Sequence, residues 1–190
     1  MYKRQCLFFV FSRKQTEKIA NTINLQLIDG KTANLAIELF DYYTKKFFGE
    51  NGFQLNQYWS LRKLIEKGIC FHHSGLFPVF KEIIEILFEK KLIKLLLVTE
   101  TMAVGINMPC KTVVFSSLTK FDGKFQRNLV PAEYTQISGR AGRRGIDTKG
   151  NIYYFPMRNM LSVSEMIEIL SGKYEKIRSK YQINPIDILR

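Results

Sequence analysis

Disulfide and zinc chemistry have little to work with in this chain. Three cysteines, Cys6, Cys70 and Cys110, are an odd number, widely spaced and without a Cys-x-x-Cys pair, which fits reduced, buried thiols in an intracellular protein. Only two histidines are present, adjacent at His72 and His73, and no third ligand stands at metal spacing, so the expected metal set is none. No stretch approaches the length of a membrane span. The run Cys6–Phe11 after Lys3 and Arg4 is too short for a signal-peptide core and has no small-residue cleavage site behind it. Acidic residues are also scarce. Seventeen Asp and Glu stand against 29 Lys and Arg, a net charge of +12 that favours polyanions such as nucleic acid or nucleotide. Abundant Lys, Asn, Ile, Phe and Tyr would also follow from an AT-rich coding sequence, so charge alone leaves nucleic-acid binding open.

What is present is a core. At 46% apolar and 13% aromatic, 190 residues suffice for one domain with an appendage. Cys6–Phe11 (CLFFVF) is a continuous apolar run, expected as a strand buried on both faces. Ser12 suits the N-cap of the helix that follows. That corner is either a plain cap or an anion site at a helix N-terminus. Residues 31–48 and 55–67 predict two amphipathic helices, a helical insertion over about 31–67 that could form a flap. Asp29-Gly30-Lys31-Thr32 ends like a phosphate-binding glycine loop, but position 25 is Leu where that loop needs Gly, and no apolar strand leads in. It is expected as a turn.

Ile69–His72 predicts a strand and His73–Leu76 a loop. Ser74 is not a nucleophile elbow, because position 72 is His rather than Gly. Residues 78–90 predict a helix with Pro78 in its first turn and an apolar stripe of Phe80, Ile83, Ile84, Leu87 and Phe88. Strands follow over 93–98, 112–115 and 151–155. Residues 119–128 are expected as a polar loop holding Asp122-Gly123. A helix is expected over 132–141, another over 161–170, and possible helix over 172–181. Strands alternating with helices imply an α/β domain with a mainly parallel sheet, whose ligands bind at the carboxyl ends of the strands.

The segment 136–145, QISGRAGRRG, carries the sharpest chemical signal. On a helix Gln136, Arg140 and Arg143 fall at i, i+4 and i+7, which sets one amide and two guanidiniums on one face. Three glycines in that stretch leave the face uncluttered at a cost in helix propensity. The arrangement suits phosphate oxygens; the plain alternative is a basic helix end with a glycine cap. This helix is expected at an edge of the same crest as Ser12 and Thr99.

Together these stretches resemble the second RecA-like domain of superfamily-two helicases, most closely the superkiller and exosome-cofactor group of DExH RNA helicases. The resemblance spans FVFSRKQTE (9–17), residues 68–109, KFDGKFQRNLVPAEYTQISGRAGRRG (120–145) and SKYQINPIDILR (179–190). The lead-in 129–135 is closer to the superkiller branch. The resemblance implies a RecA-like three-layer domain over 1–156, with residues 157–190 a short C-terminal helical extension that begins a following domain. It also implies roles. Gln136, Arg140 and Arg143 match the motif that reaches the ATP γ-phosphate, with Arg143 as arginine finger. Gly105 and Asn107 match a motif near the nucleotide. Ser12, Arg13, Thr99 and Thr101 match contacts to the RNA backbone. ATP with Mg2+, RNA, and a first RecA-like lobe in cis or trans are the implied cofactors and partners, with an RNA-degradation complex as a further one.

The chain holds no Gly-x-x-x-x-Gly-Lys-Thr loop and no Asp-Glu-x-His box. The expectation is therefore the C-terminal ATPase lobe of an ATP-dependent RNA helicase, a fragment inactive alone. The alternative is a non-enzymatic nucleic-acid-binding or regulatory module derived from such a lobe.

Overall fold

A computed structural model describes residues 5–100, 110–142, 145, 147–157 and 160–172. At its centre lies β1 (Cys6–Phe9), bonded in parallel to β3 (Leu95–Val98) on one side and β4 (Thr112–Phe115) on the other. Outside these lie β2 (Ile69–His72) and β7 (Asn151–Tyr154), giving the order β2-β3-β1-β4-β7 with every pair parallel. The apolar runs dictate this. Phe9, Ile69, Leu96 and Val113 have no exposed surface, as strands covered on both faces require.

The helices are α1 (Arg13–Thr22), α2 (Gly30–Phe48), α3 (Asn56–Ile65) and α4 (Pro78–Glu89). Two more, α5 (Pro131–Ser138) and α6 (Val163–Ser171), follow later. In α4 all five residues of the expected stripe are buried, each contributing about 1.5–3 kcal/mol of transfer free energy. The result is the RecA-like α/β arrangement expected from the sequence.

Four expectations change. First, α2 and α3 do not stand off as a flap. Phe40 of α2 is fully buried and stacks on Tyr58 of α3 and Phe80 of α4, with centroids 5.4 and 5.8 Å apart. Second, Asp29–Thr32 is not a turn but the start of α2, where the Asp29 carboxylate accepts the Thr32 N–H at 2.8 Å. Third, the loop 119–128 is a hairpin of β5 (Thr119–Phe121) and β6 (Gln126–Asn128). Asp122 closes it by accepting the N–H groups of Lys124 and Phe125, and Gly123 takes a φ of 104°. Fourth, the arginine-bearing helix ends at Ser138, not Ala141. The N–H groups of Arg140 and Ala141 bond to Ile137 and Ser138, a tightened turn, and the chain reverses at Gly142 with φ 90°.

Candidate functional site

The carboxyl ends of β3, β1 and β4 lie side by side, because Phe9 pairs with both Val98 and Phe115. The next residues of these strands, Thr99, Val10 and Ser116, continue the ladder through N–H bonds to His72, Val98 and Phe9. Ser12 is thereby set on the same crest as Thr99. It is the N-cap of α1, extended at φ −155°, and its hydroxyl accepts the Gln15 N–H at a long 3.4 Å. The first turn of α1 has no acidic residue, while Arg13 and Lys14 are exposed in it. Helix dipole, unbonded N–H groups and two cations add there, so this corner is chemically suited to an anion. Thr99 is buried. Thr101, Gly105 and Asn107 lie outside the described residues.

The paired histidines are not equivalent. His73 Nε2 lies 2.9 Å from Glu17 Oε1, and its Nδ1 accepts the Gly75 N–H at 3.0 Å. That acceptance fixes the proton on Nε2. The loop 73–77 is held from α3 as well: the Gln57 amide donates to the Gly75 carbonyl and accepts the Phe77 N–H. His72 Nε2 lies 2.8 Å from Glu85, and its buried Nδ1 has no hydrogen-bond partner among the described residues. Burial pushes both imidazoles below the usual histidine value, opposed by their carboxylate partners.

At α5 the structure separates what the sequence groups together. Glu133, in the first turn, accepts two parallel bonds from Arg127 at 2.8 and 2.9 Å, pairs with Lys120 at 2.9 Å and accepts the Val130 N–H. These donors, Arg127 foremost, hold its carboxyl down at about 2. Gln136 is exposed and lines a small cavity of about 110 Å³ with Phe11, Glu100, Lys120 and Glu133. Arg140 is half-buried past the helix end, where its carbonyl accepts the Cys110 N–H at 3.0 Å. Ala141 bridges in parallel to Cys110, two residues before β4 begins. The helix thus runs from the crest toward the amino-terminal end of the sheet. Arg140 does not share the crest with Ser12, contrary to expectation. Arg143 lies outside the described residues, so its alignment with Gln136 and Arg140 does too.

The sequence reading missed a set of polar residues around a second cavity, of about 310 Å³, between the ends of β1 and β4. Ser116, Ser117, Thr119 and Gln126 belong to it. A Ser-Ser pair directly after the TVVF strand was the available signal, masked by reading 119–128 as loop. Among the described residues no group of three His, Cys, Asp or Glu could hold a metal ion. The guanidinium of Arg140 and the amide of Gln136 suit phosphoryl oxygens by donor chemistry.

Residues 48–145 match the helicase conserved C-terminal domain, just over half of the chain. The antiviral helicase SKI2 of Saccharomyces cerevisiae is 38% identical over 175 residues, 92% of this chain and 14% of its own length. Superkiller complex protein 2 of Homo sapiens is 35% identical over 181 residues, 95% of this chain and 14% of its own. The ATP-dependent RNA helicase mtr4 of Schizosaccharomyces pombe is 36% identical over 185 residues, 94% and 16%. The chain spans about a seventh of the length of such relatives. With a parallel sheet in RecA-like order and the arginine-bearing turn inside the matched region, the chain belongs to the helicase conserved C-terminal domain family, of the kind carried by superkiller-type helicases.

Proposed function

We propose that this chain is the C-terminal ATPase lobe of an ATP-dependent RNA helicase, completing a nucleotide site whose other wall is a first RecA-like lobe. In this reading residues 1–156 form the lobe and 157–190 begin the next domain. The observation that carries it is the division of α5 and the crest. Ser12 and Arg13 offer an anion corner at the carboxyl end of the sheet, while Arg140 sits toward the opposite end. Strand grip and phosphoryl contact can then operate on different surfaces of one rigid body.

Ser12, Arg13, Thr99 and Thr101 hold the RNA backbone, a contact that gives affinity without sequence reading. Arg140 and Arg143 are assigned to the nucleotide phosphates together with Gly105 and Asn107, and Gln136, one turn earlier on the crest side of α5, links that surface to the strand-gripping one. Bound ATP would supply the phosphoryl group and, with Mg2+ held on the first lobe, the charge to be neutralised. The residues of this chain orient fixed guanidiniums toward the charge that develops, which Arg does better than Lys. One relative is named as a superkiller complex protein, which supports a multi-protein assembly as the partner; an RNA-degradation complex is the assembly this reading implies.

The test is ATP hydrolysis by this chain, by a separately produced first lobe of a relative such as SKI2, and by their mixture with RNA. The expected outcome is none from this chain, and RNA-stimulated turnover by the mixture that Arg143→Ala or Arg140→Ala removes. Hydrolysis by this chain alone overturns the reading. Salt-sensitive RNA binding that ignores both substitutions and gives no turnover with any first lobe favours the non-enzymatic module.

A further inference from the structure

The cavity of about 310 Å³ lies between the carboxyl ends of β1 and β4, where the crossovers leaving neighbouring strands diverge to opposite sides of the sheet. In open α/β sheets that crevice is where ligands bind. Its size sits at the small end of ligand pockets, which start near ~300 Å³. Its lining is specific. Ser12 and Gln15 come from the cap and first turn of α1, Ser116 from just past β4, and Thr119, Phe121 and Gln126 from the hairpin.

The hairpin has two faces with different tasks. Lys120 and Arg127, directly opposed, turn to α5 and are tied to Glu133. Thr119, Phe121 and Gln126 share the other face, since Phe121 pairs with Gln126 and Thr119 is two residues away. That face is pre-set. The Gln126 amide N–H donates to Thr119 Oγ1 at 3.0 Å, Thr119 Oγ1 lies 2.8 Å from Ser117 Oγ, and Ser117 Oγ accepts the Thr119 N–H. Among the described residues this chain of bonds leaves one hydroxyl proton and the Gln126 carbonyl oxygen unspent, a donor and an acceptor at one wall. Phe121 is 58% exposed, a ring with a bare face. Ser116 is buried just past the end of β4 and lines the same cavity.

We propose that this cavity takes one nucleobase of the bound RNA strand, stacked on Phe121 and met at its edge by Gln126 and the Ser116–Thr119 hydroxyls, next to a phosphate on the α1 N-terminus. The proposal rests on the backbone-contact reading of Ser12 and Arg13 and adds to it a preference among bases. A nucleobase needs both a flat apolar surface and mixed donors and acceptors at one rim, and the lining offers both.

The experiment is fluorescence anisotropy with the 190-residue chain and labelled homopolymers about eight nucleotides long, together with an abasic ribose-phosphate oligomer. Wild type is expected to favour at least one base and to bind the abasic oligomer about tenfold more weakly, the scale of one stacking contact. Phe121→Ala brings the preferred oligomer to the abasic level. Gln126→Leu removes the differences among bases and leaves the salt dependence unchanged. Both side chains are exposed, and unchanged thermal midpoints confirm that the variants fold. Equal affinity for all oligomers, abasic included, overturns the pocket while backbone binding stands. No binding to any oligomer overturns pocket and backbone contact together. Competition by free nucleoside monophosphates without a preference among oligomers assigns the cavity to another ligand and overturns the proposal.

Discussion

Glu17 of α1 and His73 at the end of β2 meet at 2.9 Å across 56 residues of sequence, and His73 spends its other ring nitrogen on the Gly75 N–H. The pair ties the first helix to the loop beside it. A Cβ on Gly75 would meet His73 Nδ1 at 3.0 Å and Arg13 Cδ at 3.8 Å, so this loop also forms the floor under Arg13.

A pH dependence follows. Both histidines are held below their ordinary value of 6.5 by burial; Glu85 and Glu17 oppose this, while Lys81 near His72 and Arg13 near His73 add to it. A lowered value in the folded state means that the unfolded chain binds more protons. The stabilisation is therefore full above about pH 6.5 and is lost as pH falls through the lowered values. Urea midpoints are expected to drop between about pH 7 and about pH 5. In the double variant His72→Asn, His73→Asn the protein is weaker at neutral pH, and its midpoint falls less over that range. An equal fall in the double variant would show that other groups carry the dependence.

Glu133 gives a window of the same sign at lower pH. Its carboxyl is held at about 2, chiefly by Arg127, with Lys120 and the Val130 N–H assisting. Its contribution is full above the ordinary carboxyl value and is lost as pH falls toward about 2. Glu133→Ala removes a helix cap and two partly exposed ion pairs, for about 1–2 kcal/mol at neutral pH. The difference from wild type in denaturation midpoint is expected to shrink in acid. Because Glu133 anchors the hairpin, the same variant should also blunt any base preference.

How much of this was readable depended on period and length. The stripe of α4 repeats at helical spacing over three turns, and Ile69–His72 and Thr112–Phe115 are apolar runs ended by polar residues, so their bounds came out of the sequence directly. The hairpin strands have three residues each, too short for a period, and only Asp122-Gly123 marked the turn. The end of α5 could not be read locally. Gly139 remains helical at φ −63°, and what stops the helix is a partner distant in sequence, the backbone of Cys110. Likewise nothing local in α2 says that Phe40 meets Phe80, 40 residues on. The Ser12 cap was legible because a serine directly after an apolar strand and before a helical pattern is a local signal.

Gly150 tests the position of the arginine turn. A Cβ there would lie 2.4 Å from the Ala141 carbonyl oxygen and 2.8 Å from the Gly142 nitrogen. Both are backbone atoms with no side-chain freedom to yield, so Gly150→Ala must displace the Arg140–Gly142 turn or the start of β7. The expected cost is about 1–3 kcal/mol, the range for overpacking. RNA-stimulated turnover with a first lobe should fall beyond what the lost stability explains, while RNA binding at the crest persists. Gly145→Ala is the control: its φ of 78° carries strain, but a Cβ there meets nothing within 4 Å. If Gly150→Ala leaves turnover intact, the packing of residue 150 against the turn does not set its geometry.

Phe40 decides whether α2 and α3 are an accessory or part of the lobe. Its ring has no exposed surface and lies between Tyr58 and Phe80, and Phe80 in turn contacts Phe48 at 5.1 Å. Removing it opens a cavity among rings that cannot collapse without moving α4 off the sheet. Phe40→Ala is therefore expected to cost about 3–5 kcal/mol, against little for Tyr42→Ala, whose ring is 58% exposed. Chemical denaturation checks the size. Hydrogen exchange checks the coupling: loss of protection in β2 and α4 as well as in α2 is expected if one core spans all three. Loss confined to α2 and α3 would make them a separately folding attachment.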